Sequence, residues 1–261
     1  MITKEQVDFF HTFGYIKFPG LFKAEIKWIS EEFGKIFEQA NILHDGKVVS
    51  NVDPFIDKSP KLAALLDDER IETISSALLG DDFNYMNSDG KYYVGNTLWH
   101  RDGLLQDKYK YIKVAFYLDP VDYDSGALRV IPGSHKLGDR YANEIGSGHY
   151  LNQVRQADGN PYWGLKGQEV PSQVLNSNPG DVVIFCHPLY HSSWGGGERR
   201  RMFTMNLCQR YKDEDLAELR GFFGDHYSEY SDIMLKAVQG KGKKHLEQGL
   251  AYFKQKSKGE I

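Results

Sequence analysis

From Asp181 to His191 the chain reads Asp-Val-Val-Ile-Phe-Cys-His-Pro-Leu-Tyr-His, an apolar run that leads into a histidine-bearing turn. A short, uninterrupted apolar run of this kind is typical of a strand that is buried on both faces. Mostly small residues follow His191, and the arginines at 199–201 then open another strand. The segment therefore predicts two strands of a β-rich core, joined by a turn that carries His191.

Outward from this segment, strands and turns alternate between about residue 82 and residue 211. The candidate strands are Phe83–Met86, Lys91–Val94, Tyr111–Leu118, Ala127–Ile131, Asp181–Cys186 and Met202–Gln209. Turn signals lie between them at residues 88–90, 124–126 and 178–180. The polar, glycine-rich stretch from residue 136 to residue 177 predicts an excursion over the site, such as a lid.

Helical patterns flank this core. Thr3 can cap a first helix that ends at Gly14, and a short strand follows at Tyr15–Phe18. Further helices are expected from about Ala24 to Ala40, from Ser59-Pro60 to Gly80, and after Tyr211 through Leu216, Leu219, Phe222 and Phe223. We predict one domain over residues 1–261, with a helical part at about 1–80, a core at about 82–211 and a C-terminal helical extension at 212–261. The fold class is mainly β with flanking α-helices, around a β-sandwich or jelly-roll core.

Composition narrows the range of partners. The net charge of −4 gives no reason to expect nucleic acid or an anionic membrane surface. No apolar stretch approaches the length of a membrane span, and the N-terminus lacks the regions of a secretory signal. Cys186 and Cys208 lie in strand-like segments, which predicts buried free thiols in a reducing, cytoplasmic setting.

A His-x-Asp pair, His100 and Asp102, is the first part of a candidate metal site. On an extended chain residues i and i+2 point to the same side, so both side chains can meet one divalent metal ion. The pair is a weak signal alone, and His245 with Glu247 forms a second such pair in a lysine-rich stretch, which we set aside. His191 is the candidate third ligand, because a jelly roll brings distant strands side by side; the alternative is a surface-turn histidine.

The arginines that follow His191 are the candidate anion site. Most arginines are solvated surface charges, but one that points inward beside a metal would present a planar fork to a carboxylate. Strand alternation puts Arg200 on one face and Arg201 on the other. The alternation does not by itself say which face is the inner one.

Taken together, these segments resemble the phytanoyl-CoA dioxygenase family of Fe(II)/2-oxoglutarate oxygenases. The matching motifs are residues 3–16, Trp99–Asp102, the "GxLxVIPGSH" segment Gly126–His135, and Gly180–Ser193. They occur in the same order over residues 3 to 211, which is far more specific than any one motif. The resemblance implies a double-stranded β-helix, with a jelly-roll or cupin-like core.

The resemblance also implies site residues. His100, Asp102 and His191 match the iron ligands, and Arg200 matches the arginine that binds the 2-oxoglutarate co-substrate, with Arg201 as the fallback. His135 and His187 lie within the motifs, but the resemblance does not make them ligands. Family halogenases replace the carboxylate ligand with a small residue, so an intact Asp102 disfavours halogenation.

One departure from the family concerns the strand that holds Ala115 and Phe116. Many members carry a tryptophan there, near the 2-oxoglutarate, and this chain has Ala115 or Phe116 at that place. The minor contacts of the co-substrate are therefore left open.

The activity implied is hydroxylation of an unactivated C–H bond by O2, with release of succinate and CO2. We expect a small polar metabolite or natural-product intermediate as substrate, since no strong basic patch for an acyl-CoA precedes Lys241. Its predicted walls include Lys91, Tyr92, Tyr93 and Arg101, and Lys91, Arg101 and Lys113 are candidates to meet an acidic substrate group.

Several alternatives stay open on the sequence alone. The same oxidising site can desaturate, epoxidise or cyclise a substrate. A zinc-dependent cupin-like hydrolase and a non-catalytic jelly-roll binding module are the rivals from other classes. The oligomeric state, monomer or homodimer, also stays open.

Overall fold

The computed structural model describes residues 2–105, 108–141, 166–216, 219 and 229–257. Its helices are α1 (Lys4–Phe13), α2 (Ile26–Gln39), α3 (Pro60–Ala63), α4 (Glu69–Leu79), α5 (Asp232–Ala237) and α6 (Glu247–Ser257). Its strands are β1 (Tyr15–Phe18), β2 (Ser50–Val52), β3 (Asn84–Tyr93), β4 (Thr97–His100), β5 (Tyr111–Tyr117), β6 (Leu128–Val130), β7 (Gln173–Leu175), β8 (Val182–Cys186), β9 (His191–Ser193) and β10 (Arg200–Cys208). Residues 142–165 of the predicted excursion, together with Phe222 and Phe223, lie outside the described residues.

The strands form two antiparallel sheets. The larger sheet has the order β1-β8-β5-β10-β3-β2, and the smaller has the order β4-β9-β6-β7. Side chains from both sheets line one cavity, so the sheets face each other across it. The predicted class, mainly β with flanking helices, is confirmed.

The helices cover the outer side of the larger sheet. The capping box between Thr3 and Gln6 starts α1, and Gly14 ends it in a left-handed conformation with φ of 83°. Helix α2 buries Phe33 and Phe37, whose rings pack on Phe55 and Tyr92 at centroid distances of 4.6–6.2 Å. Burial of these rings is a main source of stability for this layer, because each large aromatic side chain removes a large apolar area from water.

Two local predictions were wrong. Residues 88–90 do not form a turn but continue β3, because their polar and small side chains serve contacts inside the sheet. Ser88 Oγ accepts the backbone N–H groups of Phe55 and Ile56 at 3.1 and 2.9 Å, and a Cβ on Gly90 would overlap the Phe55 ring. The predicted helix from Ser59 to Gly80 is also divided, since Asp68 caps a separate helix α4.

Short strands at the edge of the smaller sheet position the predicted ligands. His100 is the last residue of β4 and lies opposite His191, the first residue of β9. Both strands are only three or four residues long, and neither was predicted as a strand. At the start of β10, Arg200 lies opposite Tyr93 of β3. The free, buried thiols expected at Cys186 and Cys208 are confirmed.

Candidate active site

Three predicted ligands meet in space. One ligand atom from each of His100, Asp102 and His191 lies within 4.8 Å of the other two. His100 Nε2 is 3.5 Å from Asp102 Oδ1, and His191 Nε2 is 3.6 Å from Asp102 Oδ2. The spacing suits atoms that share one ion rather than bond to each other, since bonds from a transition metal to such ligands are about 2.0–2.2 Å.

Backbone carbonyls hold the two imidazoles in the orientation that a metal requires. His100 Nδ1 donates to Leu98 O at 2.7 Å, and His191 Nδ1 donates to Leu189 O at 2.8 Å. Because a carbonyl only accepts, the neutral form of each ring carries its proton on Nδ1 and keeps a lone pair on Nε2. Both Nε2 lone pairs are therefore free to bind a metal. A hydrogen bond from Nδ1 to a backbone carbonyl is also common for a metal-ligating histidine.

The charges at the site agree with this donor set. Burial lowers the pKa of His191 to about 3, and nearby His100 acts in the same direction, so His191 is a neutral ligand at physiological pH. Burial opposes ionisation of Asp102, but Lys113 and the two histidines outweigh it and hold the carboxyl pKa well below its usual range. Two imidazoles and one carboxylate are the 2-His-1-carboxylate set that binds iron in non-haem oxygenases.

Arg200 is a buried cation that lines the same cavity. It is 5% exposed, its Nη1 donates to Gly126 O at 2.7 Å, and its guanidinium carbon lies 4.9 Å from the Tyr93 ring centre. Among the described residues, no carboxylate lies within ion-pair distance of Arg200. Burying a guanidinium cation costs free energy unless the cation is paired with an anion. The Arg200 guanidinium is therefore suited to bind an anion that is not part of the protein.

Arg201 is already engaged on the opposite face of the strand. Its guanidinium binds Asp119, with Nη2 at 2.6 Å from Oδ1, and donates to Ser30 Oγ at 2.6 Å. Of the two arginines that strand alternation left open, Arg200 is therefore the one that faces the cavity.

Two glycines make room for the Arg200 guanidinium. A Cβ on Gly126 would overlap Nη1, and φ of 91° at Gly126 is a conformation that side chains rarely adopt. A Cβ on Gly196 would lie 2.9 Å from the same nitrogen. Gly126 opens the "GxLxVIPGSH" segment, but sequence reasoning gave it no role.

His100, Asp102 and His191, here called the trio, line a cavity together with Arg200. The volume of this cavity is about 100 Å³. Its lining includes Lys91, Tyr93, Thr97, Lys113, Tyr117, Leu128, Ser193 and Met202 besides the trio and Arg200. Ser193 Oγ is buried, and the structure gives it no hydrogen-bond partner among the described residues. This hydroxyl, which sequence reasoning missed, is a second group ready to meet a polar ligand.

The walls were only partly predicted. Lys91 and Tyr93 line the cavity as expected, whereas Tyr92 packs outward and stacks on His44 at 4.7 Å. Arg101 also lies away from the cavity, over the Tyr190 ring at 3.8 Å, and donates to Ser134 O. The predictions for Tyr92 and Arg101 were wrong, because strand alternation turns Tyr92 to the helical layer and the Tyr190 face holds Arg101.

Strand alternation also shows which of Ala115 and Phe116 lies on the cavity side, where many family members carry a tryptophan. Lys113 and Tyr117 line the cavity, so Ala115 between them faces the same way. Phe116 points to the helical side and stacks on Phe203 at a centroid distance of 4.4 Å.

The remaining motif histidines have structural partners. His187 Nε2 lies 3.1 Å from Asn206 Oδ1, and burial lowers its pKa to about 4. His135 Nε2 donates to His11 O at 3.3 Å. His245, from the pair that was set aside, is fully buried between Glu72 and Phe83 O.

A larger open groove beside α2, lined by His44, Tyr92 and Arg199, contains none of the predicted ligands. Although this groove is larger, we assign the candidate active site to the smaller cavity, because the three donor atoms converge there. Over the described ranges, the structure has no helix of the length and apolar character needed to span a membrane.

Comparisons with known proteins identify the family of this chain and several relatives. The family model described as phytanoyl-CoA dioxygenase (PhyH) matches residues 10–202. An ectoine dioxygenase of Sphingopyxis alaskensis is 24% identical over 221 residues, which is 74% of this chain and 71% of the relative. An ectoine dioxygenase of Stutzerimonas stutzeri is 26% identical over 220 residues, with 74% of this chain and 72% of the relative covered.

Solved structures share the fold. The 2-oxoglutarate-dependent carbocyclase SnoK from nogalamycin biosynthesis superposes with a TM-score of 0.61 at 21% identity, over 84% of this chain and 91% of that chain. HygX from Streptomyces hygroscopicus, solved with nickel and 2-oxoglutarate bound, gives 0.62 at 17% identity, over 81% and 89%. These similarities confirm the predicted jelly-roll core.

Proposed function

The chain belongs to the phytanoyl-CoA dioxygenase family and is an Fe(II)- and 2-oxoglutarate-dependent dioxygenase, and from that premise we propose which of its residues do the work. His100, Asp102 and His191 bind the iron, and Arg200 binds the far carboxylate of 2-oxoglutarate. The observation that carries this proposal is the convergence of three donor atoms within 4.8 Å in a cavity that Arg200 also lines.

The donor set fits Fe(II), because two imidazole nitrogens and a carboxylate on one face of an ion leave positions open on the cavity side. When bound, iron with 2-oxoglutarate and O2 supplies the oxidising chemistry, in which the co-substrate leaves as succinate and CO2. The chain's own residues bind, orient and exclude water; a nucleophile or a proton donor is not required of them.

Arg200 supplies the charge that 2-oxoglutarate needs. Its guanidinium is fixed by Gly126 O and the Tyr93 face, so a carboxylate meets a donor fork that is already oriented. Ser193, with its buried and unpartnered hydroxyl in the same cavity, can donate to the same ligand. A zinc hydrolase would have no use for a buried arginine of this kind, so Arg200 argues against that alternative.

We propose that the substrate is a small polar metabolite and that its C–H bond is hydroxylated. Lys91, Lys113 and Thr97 give the wall of the cavity a polar character, which favours a polar substrate. The named function of the two relatives, ectoine dioxygenase, supports a small polar substrate.

The test is a screen for compounds that stimulate succinate formation from 2-oxoglutarate, with ectoine among the first set. Succinate formation is a better readout than detection of a hydroxylated product. The solved structures with this fold include a carbocyclase and an epimerase, so a hydroxylated product need not be assumed. We expect stimulation by a small polar compound in the wild type and none in Asp102→Ala. Stimulation only by long-chain acyl thioesters would contradict the substrate class, and equal turnover in Asp102→Ala would contradict the metal site.

A further inference from the structure

We propose that Lys113 is a positioning residue that holds the Asp102 carboxylate in place for the metal. This inference rests on the proposed function, since it takes Asp102 as a ligand. It adds a residue outside the ligand set whose removal weakens metal binding.

The contact itself is short and direct. Lys113 Nζ lies 2.7 Å from Asp102 Oδ2, while Asp102 Oδ1 lies 3.5 Å from His100 Nε2. The hydrogen bond to Oδ2, which also lies 3.6 Å from His191 Nε2, therefore fixes the rotation of the carboxylate with Oδ1 turned toward His100 and Oδ2 toward His191. Ligating carboxylates commonly need such an outer partner to keep their geometry.

The contact also joins the two sheets. His100 and His191 come from the smaller sheet, whereas Lys113 lies on β5 in the middle of the larger sheet. The backbone N–H of Asp102 donates to His187 O at 2.8 Å, just beyond β8 of the larger sheet. Asp102 is thus held to the opposite sheet by its backbone and by Lys113, and this places its carboxylate against the two imidazoles.

Lys113 has a clear preference for this partner. Its side chain is 17% exposed, and a buried ammonium requires a nearby anion. The charge of Asp89 also acts on Lys113, but less than that of Asp102, and Asp89 binds Lys91 Nζ at 2.9 Å and accepts from Thr204 Oγ1. In the part of the chain that the structure describes, Asp102 is the carboxylate within ion-pair distance of Lys113.

The competing role for Lys113 is a direct contact with an acidic group of the substrate, as the sequence suggested. The two roles separate in the absence of substrate. A positioning residue affects metal affinity in the apoprotein, whereas a substrate contact does not.

The experiment is titration of metal-free protein with Co(II), followed by calorimetry and by the visible absorption of the bound ion. We expect Lys113→Met to weaken Co(II) binding by about 10–100-fold and to alter the absorption of the bound ion, because Asp102 loses its fixed rotation. Lys113→Arg, which keeps a charged donor, should recover most of the affinity.

The matched control is Lys17→Met. Lys17 Nζ lies 2.8 Å from Asp181 Oδ2, with side-chain exposures of 24% and 5%, so the variant removes a comparable ion pair far from the trio. It should lose stability but bind Co(II) within about threefold of wild type, since no metal ligand depends on it.

The outcomes are distinct. Lys113→Met with affinity within about threefold of wild type, or tighter, overturns the inference. Should that variant not fold, Lys113→Gln decides: its neutral amide is one bond shorter, so wild-type affinity in this variant also overturns it. If the wild type itself binds no metal, or binds it as well after Asp102→Ala, the proposed function fails instead.

Discussion

Arg200 shows how a single residue can be decided by its surroundings rather than by its place in the sequence. Strand alternation separated Arg200 from Arg201 but did not tell which of them faced inward. Asp119 and Ser30 hold Arg201 on the outer face, and neither partner is near it in the chain. Such long-range partners are not visible in a local pattern, which is why the sequence left the choice open.

Removing the Arg200 side chain should weaken 2-oxoglutarate binding by about 100-fold, or about 2.7 kcal/mol, because a buried carboxylate loses its charged partner. The measurement is calorimetric titration of the Arg200→Ala protein, loaded with Co(II), with 2-oxoglutarate. Arg201→Ala is the control and should lose stability without losing the co-substrate. A reversed pattern between the two variants would show that the anchor was assigned to the wrong arginine.

Gly126→Ala should damage the same site without removing any polar group. The added methyl would overlap Arg200 Nη1 and would impose a side chain on a φ of 91°, a strain of about 1–3 kcal/mol. We expect a lower melting temperature together with weaker 2-oxoglutarate binding.

The control for Gly126 is Gly197→Ala, because a Cβ at Gly197 meets nothing within 4 Å. Gly197→Ala should change neither the melting temperature nor the affinity for 2-oxoglutarate. Equal co-substrate affinity in Gly126→Ala and wild type would mean that the space beside the guanidinium is not needed.

At the scale of elements, capped and apolar segments were predicted well, and more polar ones were not. Helix α1 and strands β1, β5 and β8 follow patterns of capping and apolar spacing that are local. Strand β3 was divided in the prediction, because Ser88-Asp89-Gly90 has the composition of a turn but makes its contacts within a sheet. Strands β4 and β9 are too short to show periodicity, and only pairing across the sheet defines them.

The C-terminal segment is fixed to α4 by a buried ion pair. His245 Nε2 donates to Glu72 at 2.6 Å, and Lys244 Nζ lies 3.1 Å from the same carboxylate. Burial raises the pKa of Glu72, but these two partners outweigh it, so the pKa lies below the ordinary value of 4.5. Because the folded-state pKa is lowered, the stabilisation is present above the ordinary pKa and is lost as pH falls through the lowered value.

Glu72→Gln should therefore lower the free energy of unfolding by about 1–3 kcal/mol near neutral pH, and this difference should shrink by about pH 3. Urea unfolding of both proteins at the two pH values measures it. Glu247→Gln, at an exposed pair with Arg210, is the control and should change stability by less than about 1 kcal/mol. A difference that grows as the pH falls would contradict the sign assigned to the Glu72 shift.

At the scale of the whole molecule, each of the two sheets supplies a different part of the site. The smaller sheet carries both histidines, and the larger sheet carries Arg200 and Lys113, so the cavity is complete only when the sheets are packed together. The ordered motifs were enough to predict the fold family and to select three side chains whose donor atoms lie close together in the structure. The cavity walls were harder to predict, since they depend on which side of each strand faces the opposite sheet.

The central claim is that His100, Asp102 and His191 form an Fe(II) site that binds 2-oxoglutarate. The most direct test is the visible absorption of the anaerobic protein after Fe(II) and 2-oxoglutarate are added together. A weak visible charge-transfer band is predicted for the wild type, absent with either addition alone and absent in Asp102→Ala. The claim is contradicted if the wild type shows no band or if Asp102→Ala shows the same one.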